Sequence, residues 1–186
     1  MIYPIVSYGN PILRIKCKNI SKNFDDLQSL LSNMWETMYD AKGVGLAAPQ
    51  INKSIRVFII DTHPFFEDDN SIEGFPLKKV FINAKILNEE GESWLFNEGC
   101  LSIPDVREDV NRKPKITIEY YDEIFNKHID TFSGLTARVI QHEYDHIEGV
   151  LFIDKISTLR KRMIKGKLKD ITNGKVKVNY LMRFPK

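Results

Sequence analysis

Residues 142–146 read His142-Glu143-Tyr144-Asp145-His146, and this stretch is the strongest indication of how the chain folds. Residues four apart on an α-helix lie on the same face, so the two imidazoles can converge on one metal ion. Glu143 cannot join them as a ligand, but it can reach a water molecule at the ion as a general base. The stretch therefore predicts a helix that carries part of a catalytic metal site.

The helix around this motif should begin near Ser133 and end at Gly149. Leu135, Val139 and Ile140 recur at helical spacing and mark its buried side. Because the motif belongs to a helix with a buried side, we expect the two histidines to lie inside the protein rather than on a loop.

Two further helices are predicted, one toward each end of the chain. The first covers about residues 23–42, with Asn23 as its N-cap and Gly43 ending it. The second spans about residues 157–171. Apolar residues at helical spacing should form the buried side of each helix. These are Leu27, Leu30, Leu31, Met34, Trp35 and Met38 in the first, and Leu159, Met163, Ile164 and Leu168 in the second.

The chain between the first two helices has the composition of β-strands. Strands are predicted where β-branched and aromatic residues concentrate, at residues 56–61, 80–83, 115–121 and 126–130. Residues 121–125 predict a hairpin turn, and residues 62–76, with an acidic run at Glu67, Asp68 and Asp69, a surface loop. Since no regular βαβ alternation is present, we expect an α+β fold with antiparallel sheets around the central helix.

Length and composition limit the class of protein. A chain of 186 residues suits a single domain, here residues 1–186, and 42% hydrophobic with 28% charged residues is typical of soluble globular proteins. No apolar run approaches the length of a membrane span, and the first residues lack the features of a secretory signal. We therefore expect a cytoplasmic monomer with no membrane partner. Cys17 and Cys100 have no spacing motif, which favours reduced thiols.

Charge is distributed unevenly along the chain. Residues 155–186 hold 11 Lys and Arg against one acidic residue, Asp170, whereas the rest holds 16 basic and 24 acidic residues. A basic tail on an acidic body suggests an anionic partner. The alternative is an amphipathic terminal helix whose charges are simply solvated.

The third metal ligand is not given by the helical motif. In a metzincin it would be a His six residues after His146, but that position is Phe152. Glu148 is too close along the same helix to serve. Asp154 remains a downstream alternative, and Cys100 is the best chemical candidate upstream.

Three blocks of sequence carry a resemblance to a known family. Residues 43–50 read Gly-Val-Gly-Leu-Ala-Ala-Pro-Gln, residues 98–102 read Glu-Gly-Cys-Leu-Ser, and residues 141–146 read Gln-His-Glu-Tyr-Asp-His. They resemble, in order, the signature blocks of peptide deformylases, and the match extends over the whole chain. The resemblance implies a compact α+β metalloenzyme that removes the formyl group from the N-terminal methionine of new polypeptides.

The resemblance also implies a role for each matching residue. Cys100, His142 and His146 would hold the metal, and Glu143 would act as acid and base. Gln50 and the backbone N–H of Leu101 would stabilise the oxyanion.

The same resemblance implies which residues bind the substrate and which metal ion is present. Val44 and Gly45 would pair with the substrate backbone, while Gly99, Arg107 and Val139 would border a methionine pocket; Arg107 could instead be a surface ion-pair residue. The ligands alone favour Zn²⁺. The family implies one divalent ion per chain, Fe²⁺ in the cell, with Zn²⁺, Ni²⁺ or Co²⁺ able to substitute.

Alternatives remain open at the level of sequence. Cys17, Cys100, His142 and His146 could form a closed structural zinc site in a binding module. A metallopeptidase or another N-acyl amidase could use the same helix. For a deformylase acting on nascent formyl-methionyl chains, the basic C-terminal helix could dock on ribosomal RNA.

Overall fold

The computed structural model describes residues 1–67 and 73–185, and its central feature is a helix packed against a five-stranded antiparallel sheet. The helices of the described residues are α1 (Leu27–Asp40), α2 (Gly134–Ile147) and α3 (Thr158–Thr172). The strands are β1 (Ile5–Val6), β2 (Gly45–Ala47), β3 (Val57–Asp61), β4 (Lys78–Glu90), β5 (Trp94–Cys100), β6 (Ile103–Arg112), β7 (Lys115–Tyr121), β8 (Lys127–Ser133) and β9 (Met182–Arg183).

The strands form three sheets among the described residues. The largest has the order β2-β3-β4-β7-β8, with every neighbouring pair antiparallel. Strands β5 and β6 form an antiparallel hairpin, and the short β1 and β9 pair in parallel. Apolar residues from the inner face of the large sheet pack against α2, which is buried along most of its length. The predicted α+β class is confirmed.

All three predicted helices are present, with small differences at their ends. Helix α1 begins at Leu27 because Asp26 adopts a left-handed backbone (φ 54°), so Asn23 is not its N-cap. At its other end Lys42, not Gly43, holds the left-handed conformation. Helix α2 ends at Ile147, two residues before Gly149.

The buried side of α3 differs from the prediction. Leu159 and Met163 are 66% and 64% exposed, whereas Ile164 and Ile171 are buried. Leu168, also predicted, is half-buried against the same apolar cluster, so the helix lies on the surface and packs through a narrow stripe that leaves Leu159 and Met163 outside it. None of the helices in the described ranges has the length and apolar character needed to cross a membrane.

The four predicted strands are confirmed, and the turn at residues 121–125 joins β7 to β8. The sequence did not reveal β5 and β6. In β6 the inward positions include Glu108 and Arg112, so the usual alternation of apolar and polar residues is hidden. In the predicted loop at 62–76, residues His63–Phe65 form a short 3₁₀ turn; Asp68 and Asp69 lie outside the described residues.

Candidate active site

Three side chains of the types that bind metal ions meet where the end of β5 faces α2. Cys100, His142 and His146 each offer one donor atom, and these atoms lie within 4.8 Å of one another. The Cys100 Sγ is 3.3 Å from the His146 Nε2. A thiolate and two imidazoles are suitable ligands for a divalent transition-metal ion, and three protein ligands leave a position for water or substrate. The central helix therefore carries the two histidines as its sequence predicted.

The contacts behind these ligands fit a bound metal ion. The His142 Nδ1 lies 3.0 Å from Glu98 Oε2, a partner that leaves Nε2 available to an ion. His146 Nδ1 and Glu143 Oε2 are buried without a hydrogen-bond partner among the described residues. Buried polar atoms are normally satisfied, so the unpartnered Glu143 oxygen agrees with a site that water at an ion would complete; His146 Nδ1 gives no such support, because Nε2 is the ring nitrogen that lies beside Cys100.

Glu98 lies at the centre of a buried ionic network that the sequence analysis missed. Its two carboxylate oxygens accept hydrogen bonds from Arg112 at 2.7 and 3.0 Å, and one of them also accepts from Arg138 at 2.9 Å. Burial by itself would raise the pKa of Glu98, but the hydrogen bonds from His142 and Arg112 outweigh it and hold the pKa well below its ordinary value. Glu98 is therefore an anion that orients His142.

Two neighbouring groups complete the network. Arg112 also donates to Asp145 at 2.6 Å, and the Arg138 guanidinium lies 4.2 Å from the centre of the Trp94 ring. Two arginines thus face two carboxylates, a balance that a buried network requires. One signal was available in the sequence, because Arg138 and Asp145 interrupt a helix that is otherwise expected to be buried.

Glu143 lies on the cleft side of α2, close to the backbone of β2. Its side chain is 96% buried, and burial raises the pKa of Glu143 to about 7. A carboxyl group with a pKa near neutrality can both take up and release a proton. Gly45 makes this position possible, because a Cβ there would come within 2.7 Å of the Glu143 Cδ.

Gln50 is held so that its amide nitrogen points toward the candidate ligand Cys100. The Gln50 Oε1 accepts a hydrogen bond from the Ala47 N–H at 2.8 Å, which fixes the orientation of the amide. Its Nε2 lies 3.3 Å from Ser102 Oγ and 3.6 Å from Cys100 Sγ. The side chain is buried, so this donor is in place before any substrate binds.

A cleft of about 660 Å³ opens beside these groups, between the edge strand β2 and the β5–β6 hairpin. All the residues predicted to contact substrate line it, together with the two oxyanion candidates; they are Val44, Gly45, Gly99, Arg107, Val139, Gln50 and Leu101. Arg107 donates to the Asn97 side chain and carbonyl, at 2.8 and 2.6 Å, rather than to a carboxylate. Among the described residues Arg107 forms no ion pair, so the geometry gives no support to the alternative of a surface ion pair.

The other candidate ligands lie apart from the group. Cys17 packs in an apolar cluster beneath the large sheet and its thiol contacts the Ile15 carbonyl. The Asp154 carboxylate pairs with Arg14. Neither is among the donors that meet at Cys100. The geometry gives no support to a closed Cys₂His₂ site.

Comparisons with known proteins agree with this arrangement. The family described as Polypeptide deformylase matches residues 2–162, well over half of the chain. This chain belongs to that family. It is an enzyme of the class that removes the formyl group from the N-terminus of new polypeptides, and the resemblance noted in the sequence is confirmed.

The relatives include proteins from several bacterial groups. Peptide deformylase of Christiangramia forsetii is 58% identical, over 100% of this chain and 97% of that protein. The protein from Salinibacter ruber is 42% identical, over 97% of this chain and 93% of its own length. A crystal structure of a peptide deformylase from Legionella pneumophila has a TM-score of 0.81 at 35% identity and covers 94% of this chain and 98% of that one.

Proposed function

We propose that Cys100, His142 and His146 hold the catalytic metal and that Glu143 acts as the acid and base, in a single domain formed by residues 1–186. The observation that carries this assignment is the meeting of three donor atoms within 4.8 Å beside a buried carboxyl group. The Glu98 contact to His142 supports it, because such a partner fixes the ring that binds the ion.

The bound ion would polarise the formyl group and supply an activated water at neutral pH. Glu143 takes the proton of the attacking water, and its raised pKa allows it to return that proton to the departing amine. The Gln50 amide and the Leu101 N–H donate to the oxygen on which negative charge develops. The products are formate and a free N-terminus.

The cleft would bind the new polypeptide by pairing with an edge strand. Strand β2 is at the edge of the large sheet and lines the cleft, so Gly45 can offer its backbone groups to an extended chain. Val44, just before it, already accepts a hydrogen bond from the Asp61 N–H through its carbonyl and would contact the chain beside Gly45. Such pairing does not depend on side chains. Gly99, Arg107 and Val139 would border the pocket that selects methionine.

The test of these roles is the variant Glu143→Ala. We expect it to retain the metal and to lose turnover of a formyl-methionyl peptide by a factor on the order of 10² to 10⁴. Glu92→Ala, at an exposed position, is the control and should leave both unchanged. Assays with formyl-Met, acetyl-Met and internal peptide substrates then define the reaction. Loss of the metal in Glu143→Ala, or preferential cleavage of an internal peptide, would contradict the assignment.

We propose Fe²⁺ as the ion in the cell, with Zn²⁺, Ni²⁺ or Co²⁺ able to replace it. A ferrous ion beside the Cys100 thiolate makes the site sensitive to oxidation. Peroxide should therefore inactivate the iron-loaded enzyme much faster than the nickel- or zinc-loaded enzyme. Metal analysis of the protein purified anaerobically, followed by inactivation rates for each form, checks this; equal rates would argue against iron.

We also propose that the enzyme works in the cytoplasm as a monomer and docks on ribosomal RNA through α3. Exposed cations on one face of the helix support this docking surface, at Arg162, Lys165 and Lys169. Electrostatic contacts with phosphates weaken as salt rises. The helix therefore offers a surface that brings the enzyme to its substrate.

Charge substitution tests the docking better than truncation, since residues 177–180 also line the active-site cleft. Replacing the three cations by Gln should weaken ribosome binding and flatten its dependence on salt. The control replaces three exposed lysines elsewhere and changes the net charge equally, at Lys18, Lys22 and Lys85. Equal affinity of the two triple variants would exclude α3 as the docking surface.

A further inference from the structure

The C-terminal segment after α3 returns across the molecule to the active site. Strand β9 pairs in parallel with β1, and the Ile5 and Ser7 N–H groups donate to the Leu181 and Arg183 carbonyls at 2.8 and 3.0 Å. This pairing anchors the segment at one end. Residues 177–180, just before β9, form part of the wall of the cleft. The family match ends at residue 162, so this wall lies beyond it.

Tyr180 reaches from this segment to the turn that contains the oxyanion donor. Its hydroxyl donates to the Leu101 carbonyl at 2.7 Å. Its ring is partly buried against the apolar cluster between α1 and the strands β2, β3 and β4. Burial raises the pKa of Tyr180 well above its ordinary value, so the hydroxyl remains a donor at any pH at which the enzyme works.

Leu101 and Ser102 form the turn that joins β5 to β6, where Cys100 pairs with Ile103, and tertiary contacts add to this pairing. The Ser102 carbonyl accepts from the Tyr8 N–H at 2.8 Å, and the Ser102 hydroxyl accepts from Gln50 at 3.3 Å. Tyr180 supplies the only side-chain hydrogen bond that the described residues make to the Leu101 backbone, and it goes to the carbonyl. The turn is thus held from three distant parts of the chain.

We propose that Tyr180 is a positioning residue for the deformylase reaction: through the Leu101 carbonyl it holds the turn so that the Leu101 N–H faces the developing oxyanion. The inference rests on the role proposed for Leu101. An oxyanion donor accelerates the reaction only if it is already in place, and a displacement of about 1 Å can lower the rate on the order of 10²-fold. The Tyr180 ring lines the cleft, but its hydroxyl is engaged by the Leu101 carbonyl, so loss of the hydroxyl alone should change kcat rather than KM.

Tyr180→Phe tests this role, because it removes the hydroxyl and keeps the ring. With a formyl-methionyl tripeptide we expect kcat to fall roughly 5- to 30-fold, a part of the loss typical of a missing oxyanion donor, with KM within twofold. The metal content and the thermal midpoint should stay near those of the parent enzyme. Tyr121→Phe is the matched control, since the Tyr121 hydroxyl makes no hydrogen bond to the described residues. It should leave kcat unchanged.

The outcomes distinguish failure of the positioning role of Tyr180 from failure of the oxyanion site formed by Gln50 and Leu101. If the parent enzyme deformylates the peptide and Tyr180→Phe matches it in kcat, the positioning role is wrong. A fall in kcat accompanied by lost metal or a lowered midpoint would also overturn it, because Tyr180 would then be a structural residue. If Gln50→Ala keeps full activity and Tyr180→Phe does as well, the assigned oxyanion site itself fails.

Discussion

Glu98 connects the proposed metal site to the interior of the protein. It binds His142, Arg112 and Arg138 at once, and all four side chains are largely shielded from water. Removing one member of a buried ionic network leaves its partners as uncompensated charges, which is much more costly than removing a surface pair. Stability and metal affinity are therefore coupled at this residue.

Glu98→Gln should lower both the stability of the fold and the affinity for the metal. The free energy of unfolding is expected to fall by about 3 to 5 kcal/mol, and the metal affinity by about 10- to 100-fold, since the partner of His142 loses its charge. Urea unfolding and competition with a chelator measure the two effects. The control is Glu90→Gln, which affects an exposed pair with Lys115 and should change stability by less than about 1 kcal/mol. Similar losses in both variants would contradict the role of the network.

Gly45 is a second residue whose replacement should lower activity. An added methyl group would overlap the Glu143 carboxylate, which is buried and cannot move into solvent. Gly45→Ala should therefore lower kcat on the order of 10²-fold while the metal is retained. Steady-state kinetics with metal analysis check this, and full activity in Gly45→Ala would show that Glu143 has another position available.

At the scale of elements, α3 shows how a helix can be basic, surface-bound and still anchored. Only Ile164 and Ile171 are buried, and both enter the apolar cluster that includes Val6 and Leu13. The neighbouring Met163 faces solvent. The helix is thus anchored by these two residues, with Leu168 half-buried beside them and Arg160 paired with Glu108.

Substitutions at the adjacent residues Met163 and Ile164 test whether only Ile164 is buried, as in the structure, or both are, as the sequence predicted. Ile164→Ala should destabilise the fold by about 2 kcal/mol or more, because it removes buried methyl groups and leaves a cavity. Met163→Ala should change the free energy of unfolding by less than about 0.5 kcal/mol. Urea denaturation of both variants measures the difference. Equal costs would mean that both side chains are buried.

At the scale of the whole molecule, Cys17 lies where the N-terminal part of the chain meets the end of α2. It is buried between the N-terminal segment and α2, where its N–H donates to the Ile147 carbonyl. Burial raises the pKa of the Cys17 thiol to about 11, with Glu148 adding to the shift and Arg56 opposing it. The folded protein therefore favours the neutral thiol more strongly than the unfolded chain does.

Stability should fall in alkali for this reason. The contribution of Cys17 is complete below the ordinary thiol pKa of about 8.5 and is lost as the pH rises from there toward 11. The difference in unfolding free energy between the parent protein and Cys17→Ala should shrink by on the order of 1 kcal/mol between pH 8 and pH 10.5. Urea titrations at the two pH values measure it. A difference that does not change with pH would contradict this account.

The sequence determined the elements whose signals are local. Helical periodicity predicted α2, β-branched and aromatic residues predicted β7, and the spacing of His142 and His146 required a shared helical face. These depend on residues a few positions apart, so they can be read without knowing what packs against them.

Only the tertiary structure decided which distant groups meet. It brought Cys100 to the two histidines, gave Glu98 its two arginines, and laid Tyr180 against Leu101. It also turned Met163 to solvent, although its spacing indicated burial. The physical reason is the same in each case: burial and long-range hydrogen bonds depend on the partner surface, and a partner 46 or 79 residues away leaves no periodic trace in the local sequence.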